Sequence, residues 1–339
     1  AGLALFCFLY FKYKNKWINT LYGTLFLSSA VLAVLGALQI GPLSQFIYKR
    51  SVSLRGSYWN AAIEMGSSNP LTGVGMDSYG TFYRRYRSVN AATGMPGPEV
   101  ASNAAHSVPL DFLSYGGYPL FVTYVAILAV GLISLLKVFR RKKQYDPVFL
   151  SLAIIWVTYQ IQSLISINQL GLAIWGWVTT GALVAYERTT RESDVLDDSK
   201  VARKSRFDSK QEFLSPGLLA AIGSGVGVLI AIPPLSADAS YRNAIKYQNL
   251  EKLEAALVPN YFRPSNSRTF GNAVQILEES KLYEAGIKYA REGVKFSPMA
   301  FDAWKALYYS TNATPEEKSM ARSKMIELDP YNTALKDLP

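Results

Sequence analysis

Charge, cysteine and histidine are scarce in this 339-residue chain, which has 18% charged residues, one cysteine and one histidine. With 50% hydrophobic residues, the composition fits neither a disordered chain nor an ordinary soluble domain, so we expect a membrane protein. The lone cysteine, Cys7, excludes an intrachain disulfide framework and a cysteine-based metal site. A charged leader and a small-residue cleavage site are also missing, because Ala1 already lies in an apolar run, and this argues against a signal peptide. We therefore expect the chain to be the C-terminal part of a longer protein.

Long apolar runs predict six membrane-spanning segments, the first of them truncated, because about 20 apolar residues cross a hydrocarbon core of about 30 Å. The expected fold class is all-α: a polytopic membrane helix bundle with a large extracytoplasmic loop and a C-terminal soluble helical-repeat domain. In chain order, the predicted parts are two spans in 1–38, the extracytoplasmic insert 39–117, three spans in 118–187, a cytoplasmic linker at 188–212, a span at 213–235 and the repeat domain 236–339.

Lysine and arginine are concentrated in three short segments, at 12–16, 137–143 and 187–212. If every apolar run spans the membrane, these segments lie on one side, which the excess of positive charge predicts to be cytoplasmic. The insert and the C-terminal region then face outward. The net charge of +10 follows from this topology and does not imply nucleic-acid binding.

Three prolines divide the C-terminal region at an interval typical of helical repeats. Pro264, Pro298 and Pro330 are 34 and then 32 residues apart, close to the period of about 34 residues in tetratricopeptide repeats. The phrases LYEAGIKYAREGVKFSP and MARSKMIELDPYN resemble the second helix of such a repeat with its closing proline. We therefore predict a tetratricopeptide-like domain that binds a protein partner, the alternative being that it only caps the membrane domain.

The insert contains the most informative motifs. Apolar residues recur at helical spacing from Arg55 to Met65, which predicts a short amphipathic helix at the membrane surface. Asn69 and Pro70 end this helix and begin a tight turn with a Pro-x-x-Gly-x-Gly pattern. A nucleotide-binding loop is rejected for these glycines, because they do not follow a strand.

His106 and Arg55 are the candidate catalytic residues. A lone histidine is more often structural, but this one precedes the return to the membrane and shares the insert with several arginines. Guanidinium groups suit phosphate, so Arg84, Arg85 and Arg87 are candidate substrate-binding residues. The alternative partners of these three arginines are lipid head groups. Trp59 is a further candidate substrate-binding residue.

Four acidic residues are alternative bases for which structural roles are favoured. They are Glu64, Asp77, Glu99 and Asp111. No metal site and no cofactor are expected.

Two stretches of the insert carry a family resemblance. RGSYWNAAIEMGSSNPLTGVGMDSYG, followed by AHSVPLDFLSYGGYPLFVTY, resembles the O-antigen ligase and polymerase superfamily of bacterial envelope glycosyltransferases. Tetratricopeptide tails occur on members of that superfamily. One departure is Ser107, which stands where the family commonly has asparagine.

The resemblance implies a metal-independent enzyme of the bacterial cytoplasmic (inner) membrane that works at its outer face. Such an enzyme moves a glycan from a polyprenyl-pyrophosphate carrier to a lipid, glycan or protein acceptor. Arg55 would hold the pyrophosphate, and His106 would activate the acceptor or assist at the reacting centre. A further family arginine is expected on upstream helices that this chain does not include.

Several functions remain open from the sequence. A glycan ligase, a glycan-chain polymerase and a protein O-oligosaccharyltransferase share these motifs and differ in acceptor. A non-enzymatic scaffold that uses the repeats is a further alternative. A transporter of lipid-linked sugars is disfavoured, because the predicted spans have almost no ionisable residues.

Overall fold

The chain divides into two compact units, residues 1–202 and residues 203–339. The described residues form helices and connecting loops without strands, which confirms the all-α fold class. Cys7 lies outside the described residues. The computed structural model describes residues 16–37, 54–141, 145–198, 215–247, 249–257 and 267–338.

In the first unit, helix α2 (Arg55–Ser68) packs against α3 (Tyr79–Tyr86) and α5 (Val108–Arg141), and α7 (Leu170–Asp198) packs against α5 and α6 (Pro147–Ser163). The described helices of this unit are α1 (Lys16–Ala37), α2 (Arg55–Ser68), α3 (Tyr79–Tyr86), α4 (Val89–Thr93), α5 (Val108–Arg141), α6 (Pro147–Ser163) and α7 (Leu170–Asp198).

Helix α5 is interrupted at Gly116 and Gly117, where the backbone is not helical. Gly117 has φ of 62°, in the left-handed region that favours glycine. Pro119 has no N–H to donate, so the carbonyl of Tyr115, four residues earlier, loses its helical partner. We call the part of α5 before this kink its first segment and the part after it its second segment.

The proline turn, residues 70–75, supplies the backbone partners that the kink removes. It lies against the interruption of α5 and exchanges hydrogen bonds with both segments, so the kink and the turn stabilise each other. The bonds run from Val74 N–H to Ser114 O (2.8 Å), from Gly75 N–H to Tyr115 O (3.1 Å) and from Tyr118 N–H to Pro70 O (2.8 Å).

The C-terminal end of α5 contacts α7, and α7 contacts the N-terminal end of α6. Arg141 forms an ion pair with Glu187 at 3.4 Å and donates to Thr190 Oγ1 at 2.6 Å, both on α7. Tyr186 of α7 donates to the carboxylate of Asp146, which caps the N-terminus of α6. The first basic segment, at Arg141, therefore meets the beginning of the second, at Glu187 and Thr190, at the same end of these helices.

Two helices among the described residues are long and apolar enough to cross a membrane. They are α5 and a helix of the second unit, α8 (Pro216–Lys246). Helix α6 is apolar but shorter. Large apolar side chains on α5 and α8 are exposed, such as Val122 and Leu229, as expected for a surface that meets lipid. The number of spans and their orientation stay predictions.

Two helices run past the predicted ends of their spans. Helix α7 continues to Asp198, so the linker predicted at 188–212 begins as helix, because residues 188–198 contain no glycine or proline. Helix α8 continues to Lys246 and not to about residue 235, because the residues after Pro234 again favour helix.

The second unit is built from antiparallel helix pairs around one apolar core, which includes Leu257, Phe270 and Trp304. Helix α10 (Ser267–Glu279) pairs with α11 (Tyr283–Phe296), and α12 (Phe301–Tyr309) pairs with α13 (Pro315–Leu328). This pairing agrees with a helical-repeat domain, while its assignment to the tetratricopeptide family stays a prediction. The described helices of the unit are α8 (Pro216–Lys246), α9 (Leu250–Leu257), α10 (Ser267–Glu279), α11 (Tyr283–Phe296), α12 (Phe301–Tyr309) and α13 (Pro315–Leu328), followed by a 3₁₀ turn at Thr333–Lys336.

Substituting Gly117 tests the contact between the turn and the kink. A Cβ at this position would overlap the carbonyl of Pro70, and φ of 62° strains any L residue. We expect Gly117→Ala to lower the free energy of unfolding by about 2 kcal/mol or more, measured by thermal unfolding in detergent with tryptophan fluorescence. The matched control is Gly181→Ala on α7, where a new Cβ would meet no described atom within 4 Å apart from its chain neighbours and its own helix backbone, and alanine favours helix. Equal unfolding temperatures for Gly117→Ala and the wild type would contradict the contact.

Candidate functional site

The described part of the insert, residues 54–117, forms a small apolar core of its own, which we call the insert core. Helix α2 contributes Tyr58, Ala62 and Met65, and α3 contributes Tyr79 and Tyr83. The predicted amphipathic helix is therefore present as α2, but its apolar face packs inside the protein, against α3 and α5. The insert is thus a folded platform for its polar side chains.

His106 lies on the surface of the insert core with an unusual backbone. Its φ is 57°, which is rare for a residue other than glycine. The residues on either side are buried, Ala105 at 0% exposure and Ser107 at 4%. The imidazole stacks on the ring of Tyr58, with centroids 5.5 Å apart and an interplanar angle of 28°.

Arg55 reaches the same place because it begins helix α2, three residues before Tyr58. Side chains three residues apart lie on the same face of a helix. Tyr58 is fixed in turn by Tyr79, whose hydroxyl donates to the Tyr58 carbonyl at 2.7 Å. The structure therefore places the two predicted catalytic residues close enough for the charge of Arg55 to act on His106, whose ring rests on Tyr58.

The environment keeps the imidazole neutral. Burial lowers the pKa of His106 below its usual value of 6.5, and the positive charge of Arg55 lowers that pKa further. Both effects disfavour imidazolium, so the neutral imidazole is the predominant form at pH 7. A neutral imidazole beside a guanidinium can accept a proton while the guanidinium binds an anion.

Arg84 and Arg87 hold a loop in place. Both side chains are buried, at 6% and 1% exposure. Arg84 donates to the carbonyls of Pro98 and Glu99. Arg87 donates to Gly97 O (3.1 Å), Pro98 O (3.2 Å) and Val100 O (3.3 Å). We call these bonds the arginine clamp; they occupy the guanidinium groups that the sequence suggested for substrate binding.

Arg85 and Trp59 have different surroundings. Arg85 is exposed, between the two clamp residues. Trp59 is partly buried against the insert core, and its indole N–H has no acceptor among the described residues. Substrate binding by either residue stays a prediction.

Of the four candidate acidic residues, Asp111 has a defined contact with the site. It is 2% exposed, and its Oδ1 accepts from Ala105 N–H at 2.7 Å. Glu64, Asp77 and Glu99 are exposed. Among the described residues, no group of three or more histidine, cysteine or acidic residues could hold a metal ion.

Sequence reasoning missed the aromatic support of the site. Tyr58 counted only as an apolar position of a helix, and Tyr79 was not singled out. The signal for Tyr58 was its spacing of three residues from Arg55. No local pattern linked Tyr79 to Tyr58, because the hydrogen bond spans 21 residues of sequence.

The geometry defines a class of protein: a helical protein with apolar helices of membrane-spanning length and a folded insert that places a cation beside a neutral imidazole. The family model described as O-antigen ligase matches residues 1–125, which include Arg55, His106 and the start of α5. The match confirms the resemblance for this part of the chain and supports glycan transfer, in general terms, as its function. Searches of curated proteins and of solved structures gave no match.

The arginine clamp predicts different effects for neighbouring arginines. We expect Arg87→Ala to speed amide hydrogen exchange in residues 97–101, because the carbonyls there lose buried charged donors worth about 1–3 kcal/mol each. Arg85→Ala is the matched control and should leave that exchange unchanged, since Arg85 is exposed. Similar exchange in both variants would show that the clamp does not hold the loop.

The single histidine allows a direct test of the electrostatics. In protein labelled with ¹³C-histidine, the one imidazole signal should titrate with a pKa below 6.5, the ordinary value. Arg55→Gln removes a positive charge that disfavours imidazolium, so the pKa of His106 should rise, while Arg55→Lys keeps the charge and should leave it low. An unchanged pKa in Arg55→Gln would mean that the two side chains do not interact.

Proposed function

We propose that this protein transfers a glycan from a polyprenyl-pyrophosphate carrier to an acceptor hydroxyl or amide at the outer face of the bacterial cytoplasmic membrane. The observation that supports this proposal is the proximity of Arg55 to His106, whose imidazole stacks on Tyr58 and feels the positive charge of Arg55. The family match over residues 1–125 supports glycan transfer in general. The donor, the acceptor and the membrane face are our inference.

Arg55 is the residue to which we assign the pyrophosphate. Its guanidinium can form paired hydrogen bonds with phosphate oxygens. It begins α2, where the first N–H groups of the helix carry partial positive charge that also favours an anion.

The chemistry needs two opposite roles from the two side chains. The acceptor oxygen attacks the anomeric carbon of the sugar, and the bond from that carbon to the pyrophosphate oxygen breaks with its electron pair. Arg55 neutralises the charge that develops on the leaving pyrophosphate. The neutral imidazole of His106 takes the proton of the acceptor group.

The kink in α5 suits a lipid-linked donor. The second segment of α5 is apolar and long, so it provides a surface for a polyprenyl tail. The insert packs against the first segment, at the other side of the kink. A carrier that keeps its tail against the second segment can therefore present its head group to Arg55.

The protein partner that we assign to the second unit has a groove available. Helices α10 and α12 border a cavity of about 490 Å³, and its lining includes Gln275, Lys305 and Tyr309. Concave surfaces of paired helices are a common way to bind an extended segment of another protein. The partner would be an acceptor protein or another envelope enzyme.

Transfer by the full-length protein in lipid nanodiscs tests the proposal. A labelled polyprenyl-pyrophosphate oligosaccharide is offered with lipid, glycan and peptide acceptors in parallel, in EDTA, and the labelled product identifies the acceptor class. We expect Arg55→Ala and His106→Ala each to lower the rate by about 100-fold or more.

Arg242→Ala is the matched control, since Arg242 is an exposed arginine of the second unit, and its rate should equal the wild-type rate. Normal transfer in both site variants would point instead to a non-enzymatic scaffold. Loss of all transfer in EDTA would contradict metal independence.

A further inference from the structure

The backbone of His106 is strained, and its surroundings must hold it. A residue other than glycine with φ near +57° costs about 1–2 kcal/mol relative to the ordinary helical or extended regions. Such a conformation persists only where neighbouring contacts determine it. The contacts of the two buried neighbours, Ala105 and Ser107, therefore hold this backbone.

Asp111 makes the contact that fixes this backbone. Its carboxyl Oδ1 accepts from the N–H of Ala105 at 2.7 Å, and both residues are buried, at 2% and 0% exposure. The position of Asp111 is set by the first turn of α5, where its own N–H donates to Ser107 O at 2.8 Å. The carboxyl group thus ties the chain before His106 to the helix that follows it.

The groups that bear on the position of His106 come from two helices. Arg55 and Tyr58 belong to α2, and Asp111 belongs to the first segment of α5. Tyr58 provides a ring surface for the imidazole but no link to its backbone. Asp111 therefore complements the stack: one contact holds the ring, and the other holds the chain.

We propose that Asp111 is a positioning residue for glycan transfer, which holds the backbone at His106 through Ala105 N–H so that the imidazole stays stacked on Tyr58 beside Arg55. This inference rests on the proposed function of His106. It assigns Asp111 no proton transfer, because the side chain is buried and its Oδ1 is engaged by a backbone donor. The required property is an acceptor oxygen at this position, which asparagine also has.

Two substitutions separate an acceptor from a base. Asp111→Asn keeps an acceptor for Ala105 N–H, so kcat should stay within about threefold of the wild type. Asp111→Leu keeps a branched shape without an acceptor, so kcat should fall by about 10- to 100-fold, the range typical of a displaced catalytic group. KM for the lipid-linked donor should change by less than about twofold, because Arg55 is untouched.

The ¹³C-histidine signal reports the same change without any activity measurement. In Asp111→Leu, the imidazole should lose the ring-current shift from Tyr58, and the pKa of His106 should rise toward 6.5 as the ring leaves Arg55 and becomes hydrated. In Asp111→Asn, both the shift and the pKa should match the wild type. Since asparagine is neutral, this match would assign the effect to geometry and not to the charge of Asp111.

Ser114→Ala is the folding control. Ser114 is also fully buried in the first segment of α5, and its hydroxyl donates to the carbonyl of Asp111 at 2.9 Å. This variant removes a buried hydrogen bond of the same segment but leaves the bond to Ala105, so the histidine signal should not move. A similar loss of kcat and of the histidine shift in Ser114→Ala would overturn the proposal in favour of general destabilisation.

Other outcomes are equally decisive. Loss of activity in Asp111→Asn with an unchanged histidine signal would make Asp111 a base and overturn the positioning role. An unchanged histidine signal in Asp111→Leu would overturn it as well. Failure of the proposed function looks different, since His106→Ala would then transfer glycan at the wild-type rate while the histidine signal of Asp111→Leu still moved.

Discussion

The exchange of backbone hydrogen bonds between the proline turn and the kink of α5 is the constraint on which the candidate site depends. A helix that contains Pro119 leaves a carbonyl without a partner, and an apolar surrounding makes that loss expensive. The turn at 70–75 removes the penalty by donating to the carbonyls before the kink and accepting from Tyr118. The turn is thereby fixed to a helix of membrane-spanning length through main-chain atoms.

This constraint determines the position of both candidate catalytic residues. The turn follows α2 directly, so fixing the turn also fixes the helix that begins with Arg55. The first segment of α5 follows His106, so the same contact fixes the other side of the site. Strain at His106 is then held by buried neighbours, and the imidazole is kept neutral by burial and by the nearby guanidinium. Stability of the insert and chemistry of the site therefore rest on the same packing.

The sequence was sufficient for the all-α fold class, while the catalytic roles of Arg55 and His106 stay predictions. Long apolar runs specify helices, and α1, α6 and the second segment of α5 lie within the parts of the chain predicted to span the membrane. The prediction failed to anticipate the arginine clamp, because guanidinium groups that bind loop carbonyls leave no periodic signal in the sequence. From composition alone, Arg84 and Arg87 look like phosphate ligands, and only their burial distinguishes the two roles. The contact of Asp111 with Ala105 was hidden for the same reason, since it depends on how the chain turns at His106.

In the proposed function, the insert is a platform that receives the anionic head group of a lipid carrier. The chemical class of the acceptor then distinguishes ligation, polymerisation and protein glycosylation. The most direct measurement is a structure of the full-length protein with a non-hydrolysable polyprenyl-pyrophosphate analogue in nanodiscs. The account predicts a phosphate oxygen within hydrogen-bond distance of the Arg55 guanidinium, about 2.7–2.9 Å, and the anomeric position of the analogue on the side of His106. A pyrophosphate bound away from Arg55, or an imidazole directed away from the anomeric position, would contradict it.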